Sequence, residues 1–398
     1  MTKPIKLIYI YTSAAVVADS VQTKITAQID ALNKNGIDCK GLFFSTSIDE
    51  AFNHNEYIQF IPCKATHYKY FNLSRQKKVV MNTISDYVDQ NVSPDALIYI
   101  RYPGVSFSLY RFSIKNKGRI ISEHISKEID EYKSFKSEFP FGLRPSKLIS
   151  YIQYMFLPIF NERIWGRLYR KNTKSIVAES LEVALYQVKR GATRYFVNSN
   201  GIDTKIYTAR AIPPLEKEIK ILFLKGTSSI AQWNGIDRLI NSLDLFENTD
   251  YKIKLIICGK IIENEIPERE YIHLAGYLSK EALDKLFSEV HFGISTLCLF
   301  RKKLDEIAGL KTREYMIRGL PFLYAYTDPD IEENKYIQSF CLKYPNDDTL
   351  IDFNDVINFV EVVYRNVRHA QEMHDWATKH IDWDFKKEKM AKFIRELN

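Results

Sequence analysis

Two glutamates, Glu306 and Glu314, stand eight positions apart in DEIAGLKTREYMIRGLP, with Gly309 and Leu310 between them and Lys311 close by. Carboxylates accept hydrogen bonds from hydroxyls, and a glycine at a helix start lets an anion approach the backbone N–H groups closely. Such a set has the means to hold an anion and to accept hydrogen bonds from hydroxyls. On one helix the two acids would point about 80° apart, so they would not share a face. Gly309 places Glu306 in the preceding loop and starts the helix near Leu310 or Lys311, and Arg318-Gly319 ahead of Pro321 stops it. Glu314 then lies one turn in, placed to accept from a ribose diol. Taken alone, the spacing favours a plainer reading, a solvated helix face.

Two other places could do chemistry. His124 closes the apolar run GRIISEH, where a lone histidine is more often structural than catalytic. Asp328-Pro329-Asp330 has the letters of a metal-binding DxD. It follows a Gly-Leu-Pro turn in a proline-containing loop, however, and two acids there are expected to be solvated. No His, Cys, Asp or Glu cluster has ligand spacing, so no metal is expected. The five cysteines are scattered, odd in number and never in a CxxC pair, which fits a reducing compartment and neither a disulfide framework nor a zinc site.

These residues need a scaffold. Lys6–Tyr11, Ala96–Tyr102, Gly118–His124, Ser175–Ser180 and Thr193–Asp203 are apolar runs of strand length, with helical spacing between them. The Pro-containing, charged stretch Ala211–Glu218 is a linker, after which the pattern restarts with EIKILFLKG, YKIKLIICG, YIHLAG and HFGIST. Alternating strands and helices predict parallel, doubly wound sheets, and 398 residues favour two domains. Two such domains in series are expected to face each other across a cleft at the carboxyl ends of their strands. MTKPIKLIYIYTSAAVVADS has the lysines and apolar run of a signal peptide, but its Tyr, Thr and Ser read more simply as strand, polar loop and helix. No other segment approaches a membrane span. The net charge of +7 favours anionic partners without naming one.

Five elements, in order from Ala178 to Pro321, resemble the retaining glycosyltransferases of family 4, which have two Rossmann-like domains in the GT-B arrangement. Glu306, Gly309, Leu310 and Glu314 match the family's E-x-x-G-L-x-x-x-E, with Gly319–Pro321 as its GLP turn. NSNGID (Asn198–Asp203) is similar to the element closing the first domain, and AESLEVALYQV (Ala178–Val188) to the helix before it. WNGIDRLI (Trp233–Ile240) resembles KG-x-D-x-LI, and AGYLSKEALDKLF (Ala275–Phe287) resembles the nucleotide-base loop. The resemblance implies that Glu314 holds the donor ribose, the Gly309 and Leu310 amides hold the diphosphate, and Glu306 contacts the transferred sugar. Gly276, Tyr277 and Leu278 would contact the base. His124 stands where the family often has a histidine near the donor sugar.

The chain departs from that pattern where the diphosphate should be neutralised. Asn234 replaces the lysine of the KG pair, and GTSSIAQ (Gly226–Gln232) contains no cation. Lys225, Lys311 or the Arg301–Lys303 run would have to supply the charge, that run being equally a solvated loop. Thr12–Val16 replaces the family's usual glycine pair. These departures keep two alternatives open: a non-catalytic binding subunit of the same fold, and a sugar-nucleotide epimerase.

The implied organisation is an acceptor domain over 1–212, a donor domain over 218–384, and a C-terminal helix, 385–398, returning to the first. The implied activity is metal-independent hexosyl transfer with retention, without a cofactor, from a nucleotide-sugar to a glycan or lipid-linked acceptor. Bacterial surface polysaccharide assembly in the cytoplasm is the expected setting, and no nucleic acid is an expected partner. Lys133–Lys174 mixes Arg144, Lys147, Arg163, Arg167, Arg170 and Lys171 with Tyr151, Tyr154, Phe156, Trp165 and Tyr169. That mixture suits an anionic membrane surface at the inner face of the plasma membrane as well as it suits a core-packed helix with a basic edge.

Overall fold

The computed structural model describes residues 5–13, 20–46, 56–64, 72–135, 141–142, 144–226, 231–247, 250–260 and 266–397. The chain divides into two units, 1–199 with 383–398, and 200–382. In the first, seven strands form an all-parallel sheet: β1 (Ile5–Ser13), β2 (Ile37–Ser45), β3 (Ile58–Pro62), β4 (Leu97–Arg101), β5 (Ile120–His124), β6 (Ser175–Ala178) and β7 (Tyr195–Val197). Their order is β3-β2-β1-β4-β5-β6-β7. In the second, β8 (Glu218–Gly226), β9 (Lys252–Gly259), β10 (Ile272–Gly276), β11 (Phe292–Ile294), β12 (Phe322–Tyr324) and β13 (Cys341–Lys343) run in the order β10-β9-β8-β11-β12-β13, again all parallel. Helices cover both faces of a sheet of this kind, so its inner strands are buried, as in Leu97–Ile100 and Leu255–Gly259, while the edge strands β3, β7 and β10 are partly exposed.

The strand order reverses between β1 and β4 in one sheet and between β8 and β11 in the other. At such a switch point the connections leave in opposite directions and open a crevice at the carboxyl ends, where ligands of open α/β sheets bind. Four strands lie outside the segments expected from the sequence, namely β2, β3, β12 and β13, and they complete both sheets.

The C-terminal helix Trp383–Leu397 belongs to the first unit. Its Met390, Ala391, Ile394 and Leu397 share one apolar cluster with Leu7, Ile25, Ile29 and Leu32. Phe393 stacks on Phe196 with ring centres 4.8 Å apart. Within the second unit, the stretch ahead of β8 is pinned by Arg210. Its buried guanidinium donates to the carbonyls of Gly319 (3.1 Å), Phe287 (3.3 Å) and Val290 (2.7 Å).

The aromatic, basic segment is part buried and part exposed. Helical residues run from Pro145 to Asn172, with π-type turns at Ile152–Phe156 and Glu162–Gly166. Tyr169 and Arg170, expected among the membrane-facing residues, are instead fully buried. Tyr169 donates to Ser122, and Arg170 pairs with Glu128 (3.0 Å) and Glu162 (3.1 Å). A buried guanidinium between two carboxylates is committed to the core. Phe156, Phe160 and Ile164 stay exposed beside Arg163 and Arg167.

Candidate active site

The second sheet's switch point is built by the segments that follow β8 and β11. After β8, a short turn (Gln232–Asn234) leads into the helix Ile236–Asp244 through Gly235, at φ +72°. A Cβ at Gly235 would stand 2.7 Å from Leu297 Cβ, so only glycine lets this turn lie on the segment after β11. Two backbone bonds lock the segments together, Leu297 N–H to Asn234 O (3.2 Å) and Cys298 N–H to Trp233 O (3.1 Å).

The chain then approaches the helix Leu310–Arg318 as an extended segment. Glu306 pairs with Thr327 in a parallel bridge, held by Thr327 N–H to Asp305 O (2.7 Å) and Ile307 N–H to Thr327 O (3.1 Å). As expected, Glu306 lies ahead of the helix, which starts at Leu310 and stops at Gly319. Gly319 adopts φ +74°, and a Cβ there would meet the Ala370 carbonyl oxygen at 2.2 Å. The structure gives the smallness of Gly309 a packing reason as well. A Cβ at Gly309 would stand 2.6 Å from the Tyr326 hydroxyl, so a larger residue here would displace that ring. No side chain caps the helix at Gly309.

Lys311 sits in the first turn. Its ammonium donates to Asn234 Oδ1 (3.0 Å) and lies 4.2 Å from the centre of the Phe223 ring. Burial pushes its pKa down to about 7, because taking an ammonium out of water penalises the charged form. Asn234, at the position of the missing lysine, thus serves as acceptor for a cation from the opposite segment.

The Glu314 carboxylate accepts from Arg318 one turn on and from the Tyr207 hydroxyl (3.3 Å). Arg318 is fixed in turn by Asp284 (2.8 Å) and lies over the rings of Tyr207 and Phe287. Tyr207 was not singled out from the sequence, and Arg318 only as part of the helix stop. Only the four-residue spacing of Glu314 and Arg318 signals the pair.

Beneath the helix lies a buried ionic cluster. Arg313, fully buried, donates to Asn200 O (2.9 Å) and to Asp328 Oδ1 (3.0 Å), and pairs with Asp330. The sequence reading that put Asp328 and Asp330 in a solvated loop is therefore corrected. Asp328 is fully buried and caps the helix Pro329–Glu332, because Arg313 supplies the charge that makes its burial tolerable. Asn200 also donates to Ala308 O (2.7 Å), fastening the segment that carries Glu306.

Lys225, Arg301 and Lys302 have partners of their own. Lys225, at the end of β8, donates to Lys260 O (2.5 Å). Arg301 pairs with Asp237 (2.9 Å) and Asp348 (2.7 Å), and Lys302 lies over the Trp233 ring. Thr227–Ile230 and Ala14–Val16, in two of the loops expected near the donor, lie outside the described residues.

Gly276 ends β10 at φ +70°, with nothing within 4 Å of where its Cβ would be. Tyr277 follows, 66% exposed, then the half-buried Leu278, and Ser279 caps the helix Lys280–Phe287. The loop offers an aromatic face beside open space.

His124 belongs to the first unit, at the end of β5. It is buried, with Nδ1 2.5 Å from Glu128 Oε1 and Nε2 3.1 Å from Ser122 Oγ. Burial pushes its pKa down, against the pull of Glu128. Among the described residues no group of three or more His, Cys, Asp or Glu could hold a metal ion.

No family model matches the chain, and no curated protein matches it. Solved structures do. A sucrose-phosphate synthase from Thermosynechococcus elongatus superposes with a TM-score of 0.65 at 12% identity, covering 98% of this chain and 99% of that one. WaaG, a glycosyltransferase involved in lipopolysaccharide biosynthesis, gives 0.63 at 12% identity over 98% and 99%. The lipopolysaccharide outer core galactosyltransferase WaaB gives 0.61 at 14% identity over 98% and 100%. Likeness at such identities establishes the architecture, two doubly wound α/β domains of the GT-B fold.

Proposed function

We propose that this protein is a glycosyltransferase that moves a hexose from a nucleotide-sugar to a glycan or lipid-linked acceptor, with retention and without a metal ion. The observation that carries the reading is the place of Lys311. A cation in the first turn of a helix, at the switch point of a doubly wound sheet, is suited to a diphosphate.

Breaking the bond from sugar to diphosphate leaves positive charge on the sugar and negative charge on the leaving group. Lys311 and the first amides of the helix Leu310–Arg318 stabilise the departing diphosphate. Glu314 holds the ribose hydroxyls, with Arg318 and Tyr207 fixing its carboxylate. Tyr277 offers its ring to the base, and Glu306 faces the sugar as positive charge develops. His124 enters as a positioning residue, because both ring nitrogens are engaged and its imidazole fixes the end of β5.

An acceptor carried on a lipid would bring the protein to a membrane surface. Phe156 (53% exposed) stacks along Phe160 (44%), with Ile164 and the cations Arg163 and Arg167 beside them, a combination that suits an anionic leaflet. No helix among the described residues is long and apolar enough to cross a membrane. Flotation with anionic liposomes at low and high salt tests the surface, and absence of salt-sensitive binding rejects it. Likeness to two enzymes of lipopolysaccharide assembly supports bacterial surface glycan synthesis as the setting. The transfer itself is tested by sugar incorporation from a panel of nucleotide-sugars into membrane and glycan fractions, with Lys311→Met alongside. Incorporation that is lost in Lys311→Met supports the reading, and incorporation unaffected by it removes its basis.

A further inference from the structure

A basic cavity lies on the flank of the second sheet. Its volume is about 310 Å³, between the strands β8, β9 and β10 and the helix Lys280–Phe287 that covers them. Lys220, Lys254 and Lys285 line it, with His273, against a single acid, Glu289. Ile256 and Leu286 make part of its wall apolar.

The strand register makes this clustering unusual. Lys220 and Lys254 are direct partners on adjacent strands, so two ammonium groups leave the same face of the sheet side by side. Like charges directly opposite in a sheet are destabilising. Two residues earlier on that face, Glu218 is partnered with Lys252, an opposite-charge pair. The charge is therefore balanced at the edge and left unbalanced inside the cavity, where Lys285 adds a third ammonium. Among the described residues no carboxylate stands within ion-pair distance of Lys220, Lys254 or Lys285. An anion between them would turn the repulsion into attraction.

The cavity is distinct from the site around Lys311. Lys220 and Lys254 are each the third residue of their strand, near the amino ends, whereas Lys311 and Asn234 lie at the carboxyl ends. Leu278, next to Tyr277, is part of the cavity wall.

We propose that this cavity is a second anion site, taking a small phosphorylated compound whose phosphate bridges Lys220, Lys254 and Lys285. A volume of about 310 Å³ suits a phosphate or diphosphate with a compact organic part. The site does not depend on the transferase reading.

The test is calorimetric titration of the full chain with inorganic pyrophosphate, in the parent, Lys254→Gln and Lys311→Met, with sulfate at matched ionic strength as control. The expected result is binding that survives in Lys311→Met and weakens at least tenfold in Lys254→Gln. Thermal unfolding without ligand should show Lys254→Gln no less stable than the parent, because the like-charge pair is gone, with the pyrophosphate-induced rise in Tm lost. Binding that disappears in Lys311→Met and is unchanged in Lys254→Gln would overturn the proposal. So would an effect that sulfate reproduces in full.

Discussion

Raising the pH from 7.5 to 9.0 should weaken nucleoside diphosphate binding about 25-fold, through Lys311 alone. Its ammonium is poorly solvated over Phe223, with one neutral acceptor, Asn234, and burial brings its pKa to about 7. At pH 7.5 about a quarter of the free protein carries the proton, and at pH 9.0 about one part in a hundred. A diphosphate against the ammonium favours the charged form, so the bound pKa rises and binding takes up a proton. With the bound pKa above 9, affinity falls with the free protonated fraction, by about 1.9 kcal/mol across this window. The terminal phosphate, with a second pKa near 6, stays ionised throughout and adds no slope. Calorimetry with uridine and guanosine diphosphates, in two buffers of different ionisation enthalpy, measures both quantities. At pH 7.5 about three-quarters of a proton should be taken up per ligand bound. Lys311→Arg, charged throughout, should bind with a flat pH profile, and Lys311→Met should bind weakly with a flat profile. A flat profile in the parent, with no proton uptake, would refute the placement of the diphosphate at Lys311.

Glu314→Gln should chiefly raise the donor KM, by the roughly 1.5–3 kcal/mol of a charged hydrogen bond, while Glu306→Gln should chiefly lower kcat; steady-state kinetics with calorimetry separates the two. Asp328→Ala should destabilise the fold by about 3–5 kcal/mol in urea titrations, because Arg313 would be left buried beside Asp330 alone. Lys387, fully buried in the C-terminal helix, has its pKa pushed down to about 7 by burial. The unfolded chain binds that proton up to a pH near 10.5, so the burial penalty is full below pH 7 and fades between 7 and 10.5. Lys387→Met should therefore be more stable than the parent at pH 6, by a margin that shrinks toward pH 10. Chelation should leave transfer activity intact, measured with and without excess EDTA.

Long apolar runs such as EIKILFLKG and YKIKLIICG made the central strands legible, because buried parallel strands carry little polar interruption. β2 was harder to see, since Asp38, Lys40 and Gly41 interrupt its apolar residues. β12 and β13 are three residues each, too short for any period. The bounds of the helix at Leu310 and Gly319 followed from glycine chemistry, but the packing of Tyr326 against Gly309 did not. Tyr326 follows two residues after β12 ends at Tyr324, and nothing in the sequence around Gly309 marks it. Asp328 and Asp330 misled for the same reason. Their partner, Arg313, is fifteen and seventeen residues away, and only the fold brings it beneath them. Lys311 drew notice as one cation among several, and the separate engagement of Lys225 and Arg301 distinguishes it.

The most direct measurement is nucleotide release from a panel of nucleotide-sugars, with and without acceptor fractions, in the parent and in Lys311→Met. Acceptor-dependent release with sugar incorporated into the acceptor, reduced at least tenfold in Lys311→Met, is the predicted result. Release that needs no acceptor would indicate an epimerase of this architecture. Nucleotide-sugar binding without turnover on any acceptor would indicate a binding subunit, and either outcome would contradict a transferase.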